Sequence, residues 1–215
     1  MRNMKDVYIF DLDGTLVDSM PYFTKAILSI PTEEGLTFDP VEMVKIVTPL
    51  GYTKSAEYYR KLGASSSVED MVHRIEKKLV FEYSNNIVAK AGVTEYIKAL
   101  HQKGARLFVL TASPHLVTDV CLQHNGIFNL FEQVWSVEDF ALSKSDTRIF
   151  FEVAKTVGCA PEEIHYFDDS LIALANAKKA GYKTYAVYDA QTPEEVARMK
   201  AEYDVYVGSF EELEA

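Results

Sequence analysis

Three apolar segments of this 215-residue sequence each run directly into side chains that could do chemistry. The groups that follow these segments are Asp11, Thr111 and the adjacent pair Asp168 and Asp169. The segments are short and rich in β-branched and aromatic residues, which is typical of buried strands. Ligands of an open parallel sheet bind in the crevice outside the carboxyl ends of its strands. We therefore expect these groups to converge in one crevice.

Asp11 and Asp13 place two carboxylates on either side of Leu12, just before Gly14. Carboxylates gathered in one crevice repel one another, so a divalent cation that prefers oxygen ligands is their natural partner. The sequence therefore predicts a Mg²⁺ site. Zinc is disfavoured because the five histidines are scattered and form no His-Glu-x-x-His pattern. The sequence also lacks the Gly-x-Ser-x-Gly elbow of serine hydrolases and the glycine-rich Gly-Lys-Ser/Thr loop of nucleotide-binding proteins.

Alternating strand and helix patterns predict the elements that must position these groups. The predicted strands are residues 7–10, 107–110, 133–135, 164–167, 184–187 and 205–207. Amphipathic helical patterns lie between them at about residues 93–102, from 114, after Ser145, at 171–180 and from Thr192. Such alternation indicates an α/β fold, a Rossmann-like open parallel sheet with helices on both faces.

The stretch from Met20 to Ile87 breaks this rhythm, since it contains helix signals and no convincing strand. Asp39 and Pro40 are typical of a helix start, and apolar residues recur at helical spacing after Val68. Domain insertions usually enter through exposed loops. We therefore predict an α/β core domain of residues 1–19 and 88–215, with a helical cap domain of residues 20–87 inserted after the first strand.

These segments, taken in order, resemble the four motifs of the haloacid dehalogenase-like hydrolase superfamily. The similarity is to the subgroup that contains phosphoglycolate phosphatases and β-phosphoglucomutase, and it covers the whole chain, including a helical cap between the first two motifs. The Asp-x-Asp-Gly-Thr element after a strand is the most specific part. The matching segments are residues 11–19, residues 110–113, Lys144 and residues 167–170.

The resemblance implies a phosphatase that works through a covalent intermediate. Asp11 would attack phosphorus and form an aspartyl-phosphate, and Asp13 would protonate the leaving alkoxide and later activate water. Thr111 would bind the transferring phosphoryl group, and Lys144 would neutralise charge on the nucleophile and the phosphate. The implied substrate-binding set is Thr111, Ala112, Ser113, Lys144 and the cap residue Lys54.

The implied metal is Mg²⁺. Its ligands would be Asp168, the Asp11 carboxylate and the Asp13 backbone carbonyl, with Asp169 ligating directly or through water. Ordinary structural roles are the alternatives: Asp168 and Asp169 could cap the helix that follows them, and Thr111 could cap the helix after Pro114.

Departures from the family pattern narrow the expected reaction. Asp13 opposes dehalogenase and phosphonatase chemistry, because those members lack an aspartate there. β-Phosphoglucomutase has a histidine where this sequence has Phe23, and its cap has arginine where this sequence has Lys54. Ile172 replaces an acid that is common in the fourth motif. We expect hydrolysis of small phosphorylated metabolites, with a phosphomutase or a non-catalytic metabolite-binding protein as alternatives.

Composition bounds the expected partners and location. Acidic residues outnumber basic ones, 32 to 22, which disfavours nucleic acid and anionic membranes as partners. The N-terminal apolar stretch is interrupted by Asp11 and is too short for a signal peptide or a membrane span. Cys121 and Cys159 match no metal or disulfide spacing. We expect a cytoplasmic protein and a monomer.

Overall fold

The computed structural model describes residues 6–215, and over that range it contains a sheet of six parallel strands. The strands are β1 (Val7–Phe10), β2 (Arg106–Thr111), β3 (Gln133–Ser136), β4 (Ile164–Asp168), β5 (Lys183–Val187) and β6 (Val205–Val207). Their order in the sheet is β3-β2-β1-β4-β5-β6. The α/β fold with an open parallel sheet is thus confirmed, and residues 1–5 of the predicted core domain lie outside the described range.

Nine α-helices accompany these strands within residues 6–215. They are α1 (Met20–Glu33), α2 (Pro40–Val47), α3 (Gly51–Lys61), α4 (Val68–Asn85), α5 (Val93–Gln102), α6 (His115–His124), α7 (Arg148–Val157), α8 (Leu171–Ala180) and α9 (Pro193–Glu202).

The chain divides into two compact units. Residues 6–18 and Val88–Ala215 form the sheet unit, which holds all six strands and α5 to α9. Ser19–Ile87 form the helical unit, which holds α1 to α4. The predicted domain boundary lay one residue further along the chain, after residue 19.

Strand β1 lies in the middle of the sheet, between β2 and β4, and its apolar residues are buried on both faces. Ile9 and Phe10 are fully buried, and the Phe10 ring stacks on Phe167 of β4 with centroids 4.7 Å apart. In the parallel register Phe10 pairs with Val109 of β2 on one side and with Phe167 on the other. The residues that follow these three positions therefore emerge at the same edge of the sheet.

The helix caps exclude the ordinary structural roles considered for the polar groups at this edge. Helix α8 is capped by Ser170, whose side chain accepts from the Ala173 amide, so neither Asp168 nor Asp169 is its N-cap. Helix α6 begins after Pro114 with no side-chain cap, so Thr111 does not cap it. The capping interpretation of these three residues was therefore wrong.

The helical unit has its own core, as the apolar spacing of α4 predicts. Met71, Ile75 and Leu79 of α4 are fully buried, and the buried Tyr59 donates a hydrogen bond to the Ile27 carbonyl at 3.2 Å. The predicted helix start at Asp39 is confirmed, because its side chain accepts from the Glu42 amide. None of the helices in residues 6–215 combines the length and the apolar character needed to cross a membrane.

Glu34 connects the end of α1 to the start of α4 within the helical unit. Its carboxylate accepts from the Ser65 and Ser66 amides at 2.8 and 3.0 Å and from the Ser66 hydroxyl at 2.6 Å. Arg74 also donates to it, and the Glu34 side chain is only 3% exposed. The Ser66 hydrogen bonds, followed by that of Arg74, hold the pKa of Glu34 well below its ordinary value.

We expect Glu34→Gln to lower the free energy of unfolding by about 1–3 kcal/mol, because hydrogen bonds to a buried charge are lost. Glu34 stabilises the fold fully above its unfolded-state pKa of about 4.3, and this stabilisation is lost as the pH falls towards its folded pKa. The gap between wild type and variant should therefore be widest near neutral pH and should narrow in acid. Urea denaturation at several pH values measures it.

The matched control is Glu42→Gln, which breaks an exposed ion pair with Lys45 in the same unit. That change should cost less than about 0.5 kcal/mol. Equal effects of the two substitutions would contradict a special role for Glu34.

Candidate active site

A tight turn after β1 presents the first two acids. The Asp11 amide donates to the Phe167 carbonyl at 2.9 Å, which extends the sheet by one residue. The chain then folds back, and the Leu12 carbonyl accepts from the amides of Leu16 and Val17 at 2.9 and 3.0 Å. Gly14 has φ +79°, a left-handed conformation that glycine adopts without the strain of a side chain. The Gly-Thr that follows Asp13 in the sequence therefore belongs to the turn itself.

Lys144 joins the ends of β1 and β4. Its Nζ lies 2.6 Å from Asp11 Oδ1 and 2.8 Å from Asp168 Oδ2. The three side chains are largely buried, with 12% of Lys144, 6% of Asp11 and none of Asp168 exposed. Such short, desolvated ion pairs fix the positions of both carboxylates.

Asn176 of α8 holds the loop that carries Lys144. Its amide donates to the Lys144 carbonyl at 3.3 Å and to the Ile172 carbonyl at 2.9 Å, while its oxygen accepts from the Thr147 hydroxyl at 2.7 Å. Asn176 is 8% exposed. The sequence patterns did not predict a role for Asn176. A polar residue among the alanines of an otherwise apolar helix face was the signal that could have found it.

Asp168 is held by further donors from its own strand and from the start of α8. The Ser170 amide donates to Asp168 Oδ1 at 2.7 Å, and the buried Tyr166 hydroxyl donates to Oδ2. Tyr166 stands two residues earlier on β4, so strand alternation puts both side chains on one face. The sequence pattern placed Tyr166 only in the strand and gave it no role, although a tyrosine in a buried strand needs a partner for its hydroxyl.

Asp169 faces the turn after β1. The Thr15 hydroxyl donates to its Oδ1 at 3.2 Å, and Gln191 donates to its backbone carbonyl at 2.9 Å. A Cβ added at Gly14 would lie only 2.8 Å from the Asp169 carboxylate. The close approach explains why this turn requires glycine, in addition to its backbone angle.

The second predicted motif meets the first through Ser113. Its hydroxyl donates to Asp13 Oδ2 at 2.6 Å, and its amide donates to Thr111 Oγ1 at 3.1 Å. Thr111 is 1% exposed at the end of β2, while Ala112 is exposed. The structure therefore brings Asp13, Thr111 and Ser113 together.

Burial and mutual repulsion shift the pKa values of these acids. Burial raises the pKa of Asp11 well above its ordinary value; Lys144 opposes this effect, and Asp168 and Asp169 add to it. Burial and then the charge of Asp168 raise the pKa of Asp169 to about 7. Burial alone would lower the pKa of Lys144, but the charges of Asp11 and Asp168 outweigh it and keep that pKa above its usual range.

These acids fit a hard cation. Asp11, Asp168 and Asp169 each offer a carboxylate oxygen, and the three oxygens lie within 4.8 Å of one another. Burial is the main cause of the raised pKa values of Asp11 and Asp169, and repulsion from Asp168 adds to both, while Lys144 opposes them. An all-oxygen donor set with surplus negative charge is the kind that Mg²⁺ and Ca²⁺ prefer.

Lys54 and Phe23, two positions at which this sequence differs from β-phosphoglucomutase, lie in the helical unit. Lys54 is exposed on α3. Phe23 of α1 packs its ring against Tyr52 of α3, with centroids 6.0 Å apart.

Comparison with known proteins identifies the family. The family model described as haloacid dehalogenase-like hydrolase matches residues 8–187. YhcW of Bacillus subtilis (strain 168), a protein that is named as a phosphatase, is 24% identical over 207 residues, covering 96% of this chain and 92% of that protein. Phosphoglycolate phosphatase of Haemophilus influenzae (strain 86-028NP) is 25% identical over 180 residues, with 80% of each chain covered.

The fold is also that of a solved relative. The crystal structure of CbbY from Rhodobacter sphaeroides in complex with phosphate superposes with a TM-score of 0.80 at 21% identity, covering 98% of this chain and 96% of that chain. At 21% identity, this structural similarity supports the fold alone. With the family match over residues 8–187, it confirms the resemblance inferred from the motifs: the chain belongs to the haloacid dehalogenase-like hydrolases.

Proposed function

We propose that this hydrolase is a Mg²⁺-dependent phosphatase that cleaves small phosphorylated metabolites through a phosphorylated Asp11. The observation that carries the proposal is the position of Asp11, buried at the end of β1, paired with Lys144, and gathered with Asp168 and Asp169. Several relatives are named as phosphatases, which supports the same reaction class.

In the first step an Asp11 carboxylate oxygen attacks phosphorus, and the bond from phosphorus to the ester oxygen breaks. Asp13 gives its proton to the departing oxygen, so the alcohol leaves neutral. The Ser113 hydroxyl, 2.6 Å from Asp13 Oδ2, orients this acid. Thr111 binds the transferring phosphoryl group, and Ala112 and Ser113 complete its surroundings.

In the second step water attacks the phosphorus of phospho-Asp11, which releases inorganic phosphate and restores the carboxylate. Asp13, now ionised, takes the proton of that water. Lys144 stays between Asp11 and Asp168 throughout and offsets the negative charge of the phosphoryl group. Phosphoryl transfer depends mostly on positioning and on such charge neutralisation.

We propose that Asp11, Asp169 and the Asp13 backbone carbonyl would hold the metal. Asp168, which the resemblance placed among the ligands, would lie beside it. Asp168 already accepts from Lys144, Tyr166 and the Ser170 amide, which suits it to anchoring the lysine. Asp169 is less buried and accepts at its carboxylate from Thr15, so we propose that it ligates directly. Mg²⁺ held by these residues would supply positive charge for the phosphate oxygens.

The helical unit is proposed to act as the cap that selects the leaving group, with Lys54 as a cation for substrate. Closure of such a unit would exclude bulk water from the reacting groups. A phosphomutase is the alternative reaction. It would yield an isomerised sugar phosphate without net phosphate release, which a hexose-phosphate assay distinguishes. Monomeric state and cytoplasmic location stay predictions from the sequence.

Asp11→Asn should reduce hydrolysis of p-nitrophenyl phosphate by at least about 10³-fold, because the amide is a poor nucleophile. Rapid acid quench of the wild type should trap a phosphoryl group on Asp11, located by peptide mass spectrometry. The control is Asp70→Asn on α4, whose side chain is 53% exposed. Full activity of the Asp11 variant would overturn the covalent mechanism.

Removal of divalent metal with a chelator should abolish hydrolysis, and added Mg²⁺ should restore it. Ca²⁺ should restore much less, because it is larger and takes more ligands in a looser geometry. Initial rates measured against concentration of each ion provide the test. Undiminished turnover in excess chelator would rule out the metal requirement.

Asp13→Asn should separate the two steps. An aryl phosphate has a good leaving group and needs little acid assistance, so Asp11 should still become phosphorylated. Hydrolysis of the intermediate needs the base and should slow by about 10²–10⁴-fold. Stopped-flow traces should show a burst of p-nitrophenol equal to the enzyme concentration, followed by slow turnover. Equal slowing of burst and turnover would contradict the second role of Asp13.

A further inference from the structure

Lys90 connects two loops at the carboxyl edge of the sheet. Its ammonium group donates to the Gly14 carbonyl in the turn after β1, and to the Tyr188 carbonyl at 2.9 Å in the loop after β5. It also forms an ion pair with Asp189 Oδ1 at 2.8 Å. The side chains of Lys90 and Asp189 are only 17% and 14% exposed. One cation thus satisfies three acceptors, as its three donors allow.

The segment that carries Lys90 is itself anchored beside the turn. The Lys90 amide donates to the Leu16 carbonyl at 2.9 Å, and Val17 pairs with Ala89 in an antiparallel bridge. The lysine therefore approaches Gly14 from a backbone that is already in register with it. Because this backbone is already ordered, only the rotamers of the lysine side chain remain to be fixed by these contacts.

Further hydrogen bonds connect each of these two loops to Asp169. On one side the Asp189 amide donates to Gln191 Oε1 at 2.7 Å, and the Gln191 side chain donates to the Asp169 carbonyl at 2.9 Å. On the other side Thr15, which follows Gly14, donates to Asp169 Oδ1 at 3.2 Å. A closed ring of contacts therefore runs from Lys90 through both loops to Asp169 and back.

From this ring we infer that Lys90 is a positioning residue, which holds the Gly14 turn and the Asp189–Gln191 loop on either side of Asp169 and so sets the Asp169 carboxylate for a divalent cation. The inference rests on the proposed function for its metal. In the proposed reaction, Lys90 contacts none of the reacting atoms. Its effect passes through Gly14 and Thr15 on one side and through Asp189 and Gln191 on the other.

The ring has little tolerance for displacement. The Asp169 carboxylate lies so close to Gly14 that even a Cβ there would meet it at 2.8 Å. If the turn shifts when Lys90 is removed, the carboxylate must shift with it or lose the Thr15 contact. Residues that orient metal ligands in this way typically change metal affinity or activity by about 10–100-fold when they are removed.

Lys90→Met tests the inference, because it keeps an unbranched side chain and removes the charge and the donors. Mg²⁺ alone is titrated into the substrate-free protein by calorimetry, and kcat and KM are measured for p-nitrophenyl phosphate across Mg²⁺ concentrations. We expect the dissociation constant for Mg²⁺ to rise about tenfold or more, with kcat recovering partly at high Mg²⁺. Lys90→Arg keeps a cation and should restore part of the affinity.

The matched control is Lys155→Met in the same unit, whose side chain is 80% exposed and which should leave Mg²⁺ affinity unchanged. Gln191→Ala breaks the ring on its other side and serves if the Lys90 variant does not fold; it should weaken Mg²⁺ binding in the same direction. Combined with Lys90→Met it should add less than its separate effect, because both act through one ring.

Mg²⁺ affinity within twofold of wild type in Lys90→Met, or in a folded Gln191→Ala variant, would overturn the inference. A wild type that binds Mg²⁺ but hydrolyses no phosphate ester would instead contradict the proposed function, while the calorimetric comparison still decides the role of Lys90. Normal hydrolysis with unchanged Mg²⁺ affinity in the variants would overturn the inference alone.

Discussion

Negative charge crowded into a buried edge of the sheet is the constraint on which the rest of the site depends. Asp11, Asp168 and Asp169 place carboxylate oxygens within 4.8 Å of one another, in surroundings where desolvation already disfavours ionised groups. Lys144 compensates part of this charge through two short contacts. The remaining negative charge favours binding of a divalent cation, which would in turn attract an anionic phosphoryl group. A buried charge cluster costs stability unless it is compensated, so its presence is itself a sign of function.

The protein holds this cluster with donors from strand β4, helix α8 and the neighbouring loops. Asn176 fixes the Lys144 loop, Tyr166 and the Ser170 amide fix Asp168, and Gln191 fixes the backbone of Asp169. These contacts orient the acids before any ligand arrives. Preorganisation of this kind is the main protein contribution to phosphoryl transfer, because the barrier is lowered chiefly by charges that are already in place.

The sheet explains why these loops meet at all. The central strand β1 is buried on both faces, and its neighbours β2 and β4 are in parallel register with it. Parallel strands end at one edge, so three separate parts of the chain deliver Asp11, Thr111 and Asp168 to the same place. The helical unit lies between β1 and β2 in the sequence and keeps its own core and its own buried carboxylate, Glu34. Each unit can thus be tested by its own substitutions.

The sequence by itself determined the elements and the principal acids. Apolar β-branched runs predicted the strands, helical spacing predicted α4 and α7, and the Asp-x-Asp-Gly-Thr pattern identified the family, because all of these signals are local. Only the tertiary structure decided what holds the acids in place. Asn176, Gln191 and Lys90 each form hydrogen bonds with partners that lie in other parts of the chain. Capping chemistry likewise could not be assigned to Ser170 rather than its aspartate neighbours until the backbone was known. A hydrogen bond depends on the distance and angle between two groups, and sequence spacing does not specify either once the groups lie on different elements.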